Sequence, residues 1–180
     1  NKSYFTVRAL LHQKIGSKLV DPEFKTDVIN LIGADKLMDY ELDSLSGGQQ
    51  QIVSIVLALG TNADLYLIDE PSSHIDCTTR FLIAKAIRTF AAHSQKAVFV
   101  VEHDILMSIN LASGIFGRVI VFDGEPGVKC NASAPMGFLE GMNTFLKQLD
   151  ITFRQDRKNG RPKINKHNGA HDKDQKKQGN

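Results

Sequence analysis

The sequence predicts an α/β fold around a parallel sheet, and three observations carry that expectation. Leu65 to Ile68 and Val98 to Val101 are short, unbroken apolar runs of the kind parallel strands show when helices cover both faces. Between them a stretch from about Thr78 to Ala92 has helical spacing, so strand and helix alternate. At 180 residues, 42% hydrophobic and 23% charged, the chain has the composition of a globular domain with one sizeable core.

Each further element has its own signal. Val7, Leu10, Leu11 and Ile15 recur at helical spacing. Asp21 is placed to cap a second helix with Pro22 at its first position, and Phe24, Val28, Leu31 and Ile32 share one face of it. After a Ser46-Gly47-Gly48 turn, Gln49 to Leu59 reads as a helix that Gly60 ends. A helix through Ile105 and Ile109 follows the second strand, and Arg118 to Phe122 reads as a third strand closed by an Asp123-Gly124 turn. Beyond Pro126 the pattern weakens, then Phe138, Leu139, Met142, Phe145, Leu146 and Leu149 mark an amphipathic helix. From about Lys166 the polar composition predicts disorder.

Charge and cysteine usage exclude some function classes. No run is apolar enough for a signal peptide or membrane span, so the expectation is a soluble piece of a longer chain. Cys77 and Cys130 stand far apart without a partner pattern, which argues against a disulfide framework or a Cys-rich metal site and fits a reducing compartment. The net charge of +2 conceals a split: residues 151–180 hold 9 Lys/Arg against 3 Asp/Glu, whereas residues 1–150 hold 13 against 17. A basic tail on an acidic body points to a nucleic-acid-facing segment. Within it Phe145, Leu146, Leu149, Ile151 and Phe153 are interleaved with Arg154, Arg157, Arg161 and Lys163, a pattern that can pack on one side and present cations on the other.

Three motifs carry chemistry. Leu45-Ser46-Gly47-Gly48-Gln49 sets a hydroxyl and two glycines before a helix, where free amides and the helix dipole suit an anion and glycine admits close approach. Leu65-Tyr66-Leu67-Ile68-Asp69-Glu70-Pro71 delivers two carboxylates to the carboxyl edge of a sheet, where open α/β folds bind ligands. Asp69 is suited to Mg²⁺ and Glu70 to polarising an attacking water, provided the chain turns at Pro71 so that both acids face one site. Val98 to Val101 followed by Glu102-His103-Asp104 brings a histidine to the same edge, within reach of a γ-phosphate.

Together and in order, Leu-Ser-Gly-Gly-Gln, Leu-Ile-Asp-Glu-Pro, Ser73-His74-Ile75-Asp76 and His103 resemble the signature, Walker B, D-loop and H-loop of ABC-type ATPases. The resemblance implies a partial P-loop NTPase fold with ATP and Mg²⁺ as ligands, and a head-to-tail pair of nucleotide-binding domains. Ser46, Gly47, Gly48, Gln49 and Asp76 would then bind nucleotide, with Asp69 on the metal and Glu70 and His103 catalytic. By that carry-over the signature residues serve one composite site and Asp69, Glu70 and His103 the opposite one.

A narrower resemblance rests on Leu65 to Ser72, Val100 to Asp104, Val119 to Gly124, and the tail segments Met142-Asn143, Phe145-Leu146, Gln148-Leu149, Ile151 to Arg154, Arg161-Pro162, Ile164 to Lys166 and Gln175 to Lys177. These look like the later part of the second nucleotide-binding domain and the C-terminal hinge of the RNase L inhibitor family, ATPases of ribosome recycling and translation. The layout implied is a helical subdomain over 1–60, an α/β core over 61–128 and a basic hinge and tail over 129–180. Implied partners are the other nucleotide-binding domain, ribosomal subunits and their RNA, and translation termination and initiation factors. The implied setting is cytoplasmic or nuclear, with no membrane, and iron–sulfur clusters belong to an N-terminal part outside this chain. A transporter or DNA-repair ATPase, or a non-catalytic RNA-binding module, are the alternatives. No glycine in the chain is followed by lysine, so the phosphate-cradling Walker A loop is missing and the chain alone is expected to be inactive. Ile52 stands where the family has arginine, and residues 113–117 look like an insertion.

Overall fold

The structure is a computed structural model that describes residues 5–114, 116–125, 127–148, 151–155, 162–165 and 169–177. Ile115, Leu149, Arg157, Arg161 and Lys166 lie outside the described residues. The chain forms two compact units, Asn1–Leu111 and Ala112–Asn180, a division that differs from the boundaries after residues 60 and 128 drawn from the sequence.

The first unit opens with α1 (Val7–Leu19), capped by the Thr6 hydroxyl accepting from the Ala9 amide. Asp21 caps α2 (Pro22–Phe24), its carboxylate accepting from the Glu23 and Phe24 amides, and the turn winds on as a π-helical stretch, Lys25–Asn30. After two short 3₁₀ turns come α3 (Gly47–Gly60), β1 (Leu65–Asp69), α4 (Cys77–Ser94), β2 (Ala97–Val101) and α5 (Ile105–Ala112). Gly60 is the last residue of α3, as the sequence predicts, and an added Cβ there would lie 2.5 Å from Ile15 Cδ1, so the glycine also makes room for α1. At that contact α1 kinks, with Ile15 at φ −135° and ψ 31°.

Strands β1 and β2 pair in parallel from Leu65↔Ala97 to Asp69↔Val101. Tyr66 and Ile68 face the core with Val53, Val56 and Leu59 of α3 and Ile83, Ile87 and Phe90 of α4. Phe90 makes edge-on ring contacts with Phe24 and Tyr66, and the Tyr66 hydroxyl donates to the Thr61 carbonyl at 2.8 Å. The other face of the pair is not covered: Leu65, Leu67, Phe99 and Val101 are exposed, Leu67 to 74%. The sequence predicts strands buried on both faces, so half of that expectation fails here.

The predicted third strand also differs. Val119 makes one isolated bridge to Met136, and the strand itself, β3 (Phe122–Glu125), forms an antiparallel hairpin with β4 (Lys129–Ala132) in the second unit. Asp123 and Gly124 lie inside that strand, and the reversal falls at Gly127 and Val128. Helix α6 (Phe138–Gln148) buries Met142 and Leu146, and Gly141 packs where a Cβ would meet Val119 Cβ at 2.4 Å.

After the paired strands β5 (Phe153–Gln155) and β6 (Pro162–Ile164), part of the polar end expected to be disordered from about Lys166 instead forms helix α7 (Ala170–Lys177). The reason is a buried polar network. Asp172 is only 1% exposed; its Oδ1 accepts from the Thr152 hydroxyl at 2.5 Å and Lys176 Nζ lies 3.4 Å from its Oδ2. Asn165 donates to Thr152 Oγ1 and Gln175 Oε1, and Gln175 donates to Asn143 Oδ1. Composition alone cannot distinguish polar side chains that solvate a coil from polar side chains that satisfy one another.

Replacing Asp172 by alanine leaves the Thr152 hydroxyl without its buried acceptor, and is expected to destabilise the second unit by about 1–3 kcal/mol. Hydrogen exchange of the α7 amides in the 180-residue chain reads this directly, and faster exchange confined to the second unit is the expected result.

Candidate functional site

Glu70 and His103 meet because β1 and β2 run in parallel and end together, with Asp69 at the same strand end. The last ladder bond is Glu70 N–H to the Val101 carbonyl, 2.9 Å. Glu70 then adopts a left-handed conformation, φ 43°, and Pro71 removes the next donor, so pairing stops and the chain turns. Asp69 thus points from the strand end with its side chain exposed, while the Glu70 carboxylate swings toward the second loop. His103 Nε2 lies 3.2 Å from Glu70 Oε1, and the Ser73 hydroxyl donates to Glu70 Oε2 at 3.2 Å. Both partners are open to solvent, His103 to 79% and Glu70 to 49%.

The signature residues form a separate recess of about 430 Å³ lined by Ser46 to Gln49, Ile52, His74 to Asp76 and Thr79. Ser46 caps α3 in a capping box: its hydroxyl accepts from the Gln49 amide at 3.3 Å, and Gln49 Oε1 accepts from the Ser46 amide at 2.9 Å. The Gly47 and Gly48 amides stay outside that box at the positive end of a 14-residue helix. Asp76 enters the same recess as N-cap of α4, accepting from the Thr78 and Thr79 amides. The Thr79 side chain and these amides hold its carboxyl below the ordinary carboxylate value of 3.8. Ile52 is half-buried against the core and forms an apolar wall where a cation was expected from the family pattern.

Gly48 is required by packing. A Cβ there would meet the His74 carbonyl oxygen at 2.7 Å, with His74 itself left-handed at φ 61°. At Gly47 the nearest atom to an added Cβ is His74 Cγ at 3.5 Å, an ordinary contact. Gln51 of the same helix donates to the Glu70 carbonyl at 3.4 Å, which ties α3 to the strand edge.

The structure therefore sorts the sequence-derived residues into two groups, Ser46 to Gln49 with Asp76, and Glu70 with His103. Asp69 stands at the strand end near the second group, joined to Val101 by register. Four residues with clear structural work were missed: Ser72, His74, Arg80 and Glu102. Arg80 donates to Asp104 Oδ2 at 2.7 Å and to the Ile75 carbonyl at 2.8 Å, bracing both loops. For Ser72, His74 and Glu102 the signal available was their place inside the motifs, whereas Arg80 lies on α4 outside them.

The family profile described as ABC transporter matches residues 18–73. Translation initiation factor RLI1 of Chaetomium thermophilum is 48% identical over 175 residues, which is 97% of this chain and 28% of that protein. The solved structure of an RNase-L inhibitor superposes with a TM-score of 0.88 at 42% identity, over 99% of this chain and 34% of that one. The chain belongs to the RNase L inhibitor family. A second solved member, an archaeal ribosome recycling factor in complex with the archaeal ribosomal stalk protein aP1, gives a TM-score of 0.88 at 41% identity over 99% of this chain and 34% of that chain. The α/β core with its two-strand parallel edge is thus the ABC ATPase fold of this family, and the chain spans about 28% of the length of the relative RLI1.

Gly48→Ala is expected to lower the stability of the chain by about 1–3 kcal/mol, because backbone rather than a flexible side chain must move. Gly47→Ala should stay within about 0.5 kcal/mol of the parent. Paired thermal melts of the two variants separate a packing glycine from one that is merely small.

Proposed function

We propose that this chain supplies the signature, Walker B, D-loop and H-loop of an ATPase acting in ribosome recycling and translation, working as part of a longer polypeptide. The observation that carries the reading is the Glu70–His103 pair at 3.2 Å on the carboxyl edge of the parallel strands. The RLI1 relative is described as a translation initiation factor, and the archaeal relative as a ribosome recycling factor bound to a stalk protein. The same class of partner, with ribosomal RNA and termination and initiation factors, is proposed here, in the cytoplasm or nucleus and away from membranes.

In this reading ATP sits between two nucleotide-binding domains. Glu70 accepts a proton from the attacking water as its oxygen bonds the γ-phosphorus and the bond to the β-phosphate bridge breaks. A positioned base of this kind contributes roughly 10²–10⁴-fold. His103 contacts the γ-phosphate and senses its loss. Mg²⁺ would be held by the exposed Asp69 carboxylate together with phosphates and water. The ion would neutralise phosphate charge. Ser46, Gly47, Gly48, Gln49 and Asp76 bind the nucleotide of the opposite composite site, with amides and helix dipole as the anion donors.

We retain 1–60, 61–128 and 129–180 as the functional parts: helical subdomain, catalytic core and hinge. The hinge offers the exposed Arg154 to RNA phosphates. Iron–sulfur clusters are assigned to an N-terminal region outside this chain.

Two outcomes test the reading. Because no Gly-Lys is present to cradle the β- and γ-phosphates, calorimetric titration of the 180-residue chain with Mg·ATP should give no micromolar binding. In the longer ATPase, Glu70→Gln keeps shape and hydrogen bonding but removes the base. Single-turnover hydrolysis should then fall by roughly 10²–10⁴-fold while ATP binding persists; unchanged turnover would remove Glu70 from the mechanism.

A further inference from the structure

Glu102 is the point on which the strand edge converges. Its Oε1 accepts from the Ser72 hydroxyl at 2.9 Å, the His103 amide at 2.8 Å and the Asp104 amide at 2.9 Å, and its Oε2 accepts from the Ser72 amide at 3.3 Å. These bonds lie just past the end of the ladder. The last backbone bond between the strands is Glu70 to Val101, and Pro71 offers no N–H to continue it. Beyond that point the half-buried Glu102 carboxylate joins the segment leaving β1 to the segment leaving β2. Two successive amides directed at one carboxylate form a small anion nest, here filled by the chain's own side chain.

The consequence falls on His103. Its ring is 79% exposed, so packing does not hold it, and its reach to Glu70 is set by where its backbone stands. That backbone is clamped on one side by Glu102. On the other, Asp104 accepts from the Met107 amide at 2.7 Å and from Arg80 at 2.7 Å. Ser72 lies two residues after Glu70, so the same carboxylate anchors both members of the pair from beneath.

We propose that Glu102 is the positioning residue that sets the distance between Glu70 and His103, and through it the geometry in which water and γ-phosphate are held. This rests on the ATPase reading of the site. A displacement near 1 Å at a reacting pair costs about 10²-fold, so a tie of this kind should appear in turnover rather than in nucleotide affinity.

The test uses the longer ATPase for kinetics and the 180-residue chain for structure. Glu102→Ala should lower kcat by about 10–100-fold with the KM for ATP little changed. Glu102→Gln, which keeps the oxygen that serves three of the four bonds, should recover most of kcat. Ser72→Ala, which removes one donor and leaves all three amides paired, should fall between them. In the chain alone, the His103 and Asp104 amides of Glu102→Ala should exchange with water about tenfold faster or more, as expected for loss of hydrogen bonds to a charged acceptor. Wild-type kcat in Glu102→Ala alongside an inactive Glu70→Gln would overturn the positioning role alone, whereas full turnover in Glu70→Gln would overturn the ATPase reading itself. If Glu102→Ala does not fold, Ser72→Ala carries the decision: unchanged kcat with unchanged exchange overturns the proposal.

Discussion

The parallel pairing of β1 with β2 is the interaction on which the site depends. Parallel strands end at the same edge, so the residues that follow each strand arrive side by side without any long connection between them. The register from Leu65↔Ala97 to Asp69↔Val101 is fixed from within, because Tyr66 and Ile68 are buried. A slip of one residue would turn those side chains outward and displace Glu70 from His103 by about 3.3 Å. The chemistry at the edge is therefore held in place by apolar burial several residues away, and only the last step, from ladder end to imidazole, falls to polar groups.

A second constraint links that edge to the signature helix. Between Glu70 and Asp76 the chain must leave a strand, pass beneath α3 and enter α4, and it does so with two non-glycine residues in left-handed conformations, Glu70 and His74. Such conformations cost of order 1–3 kcal/mol each and persist only where neighbours enforce them. The enforcing contacts are visible: Ser73 N–H to the Glu70 carbonyl, Ile75 N–H to the Ser72 carbonyl, and Gln51 to the Glu70 carbonyl. Gly48 belongs to the same arrangement, since only a residue without Cβ admits the His74 carbonyl so close. The glycine that suits an anion-binding helix start is thus also the glycine that lets the loop after Glu70 fold.

What was legible in the sequence was whatever has a local cause. Asp21 and Ser46 were readable as caps because capping chemistry is set by two or three neighbouring residues. The parallel strands were readable because their apolar runs are continuous, and the motif order gave the residues that now cluster in two groups. Less legible were features with distant causes. Gly60 reads as a helix stop, and is one, but it also makes room for Ile15, 45 residues earlier in the chain. Arg118 to Phe122 has a strand's composition, yet its neighbourhood gives it one bridge and hands the pairing to Phe122–Glu125. The polar tail looks uncommitted until Thr152, Asn165 and Asp172 are seen to satisfy one another. Glu102 was visible as a letter in a motif but not as an acceptor of four bonds, because its main partner, Ser72, comes from another strand's end.

The exposed face of the strand pair shows how a sequence can be right about a strand and wrong about its surroundings. Leu65, Leu67, Phe99 and Val101 are large apolar side chains in one contiguous position, on a sheet type that is found covered on both faces. Burying each such side chain is worth roughly 1.5–3 kcal/mol, so leaving four exposed forgoes a sum comparable with the stability of a small domain. Alternation would have placed polar residues there had the sequence been written for a half-solvated sheet, and it does not alternate. These strands carry the composition of a sheet with two covers, of which α3 and α4 supply one. That composition, and not the burial found here, is what makes Leu65 to Ile68 and Val98 to Val101 read as strands of a parallel α/β sheet.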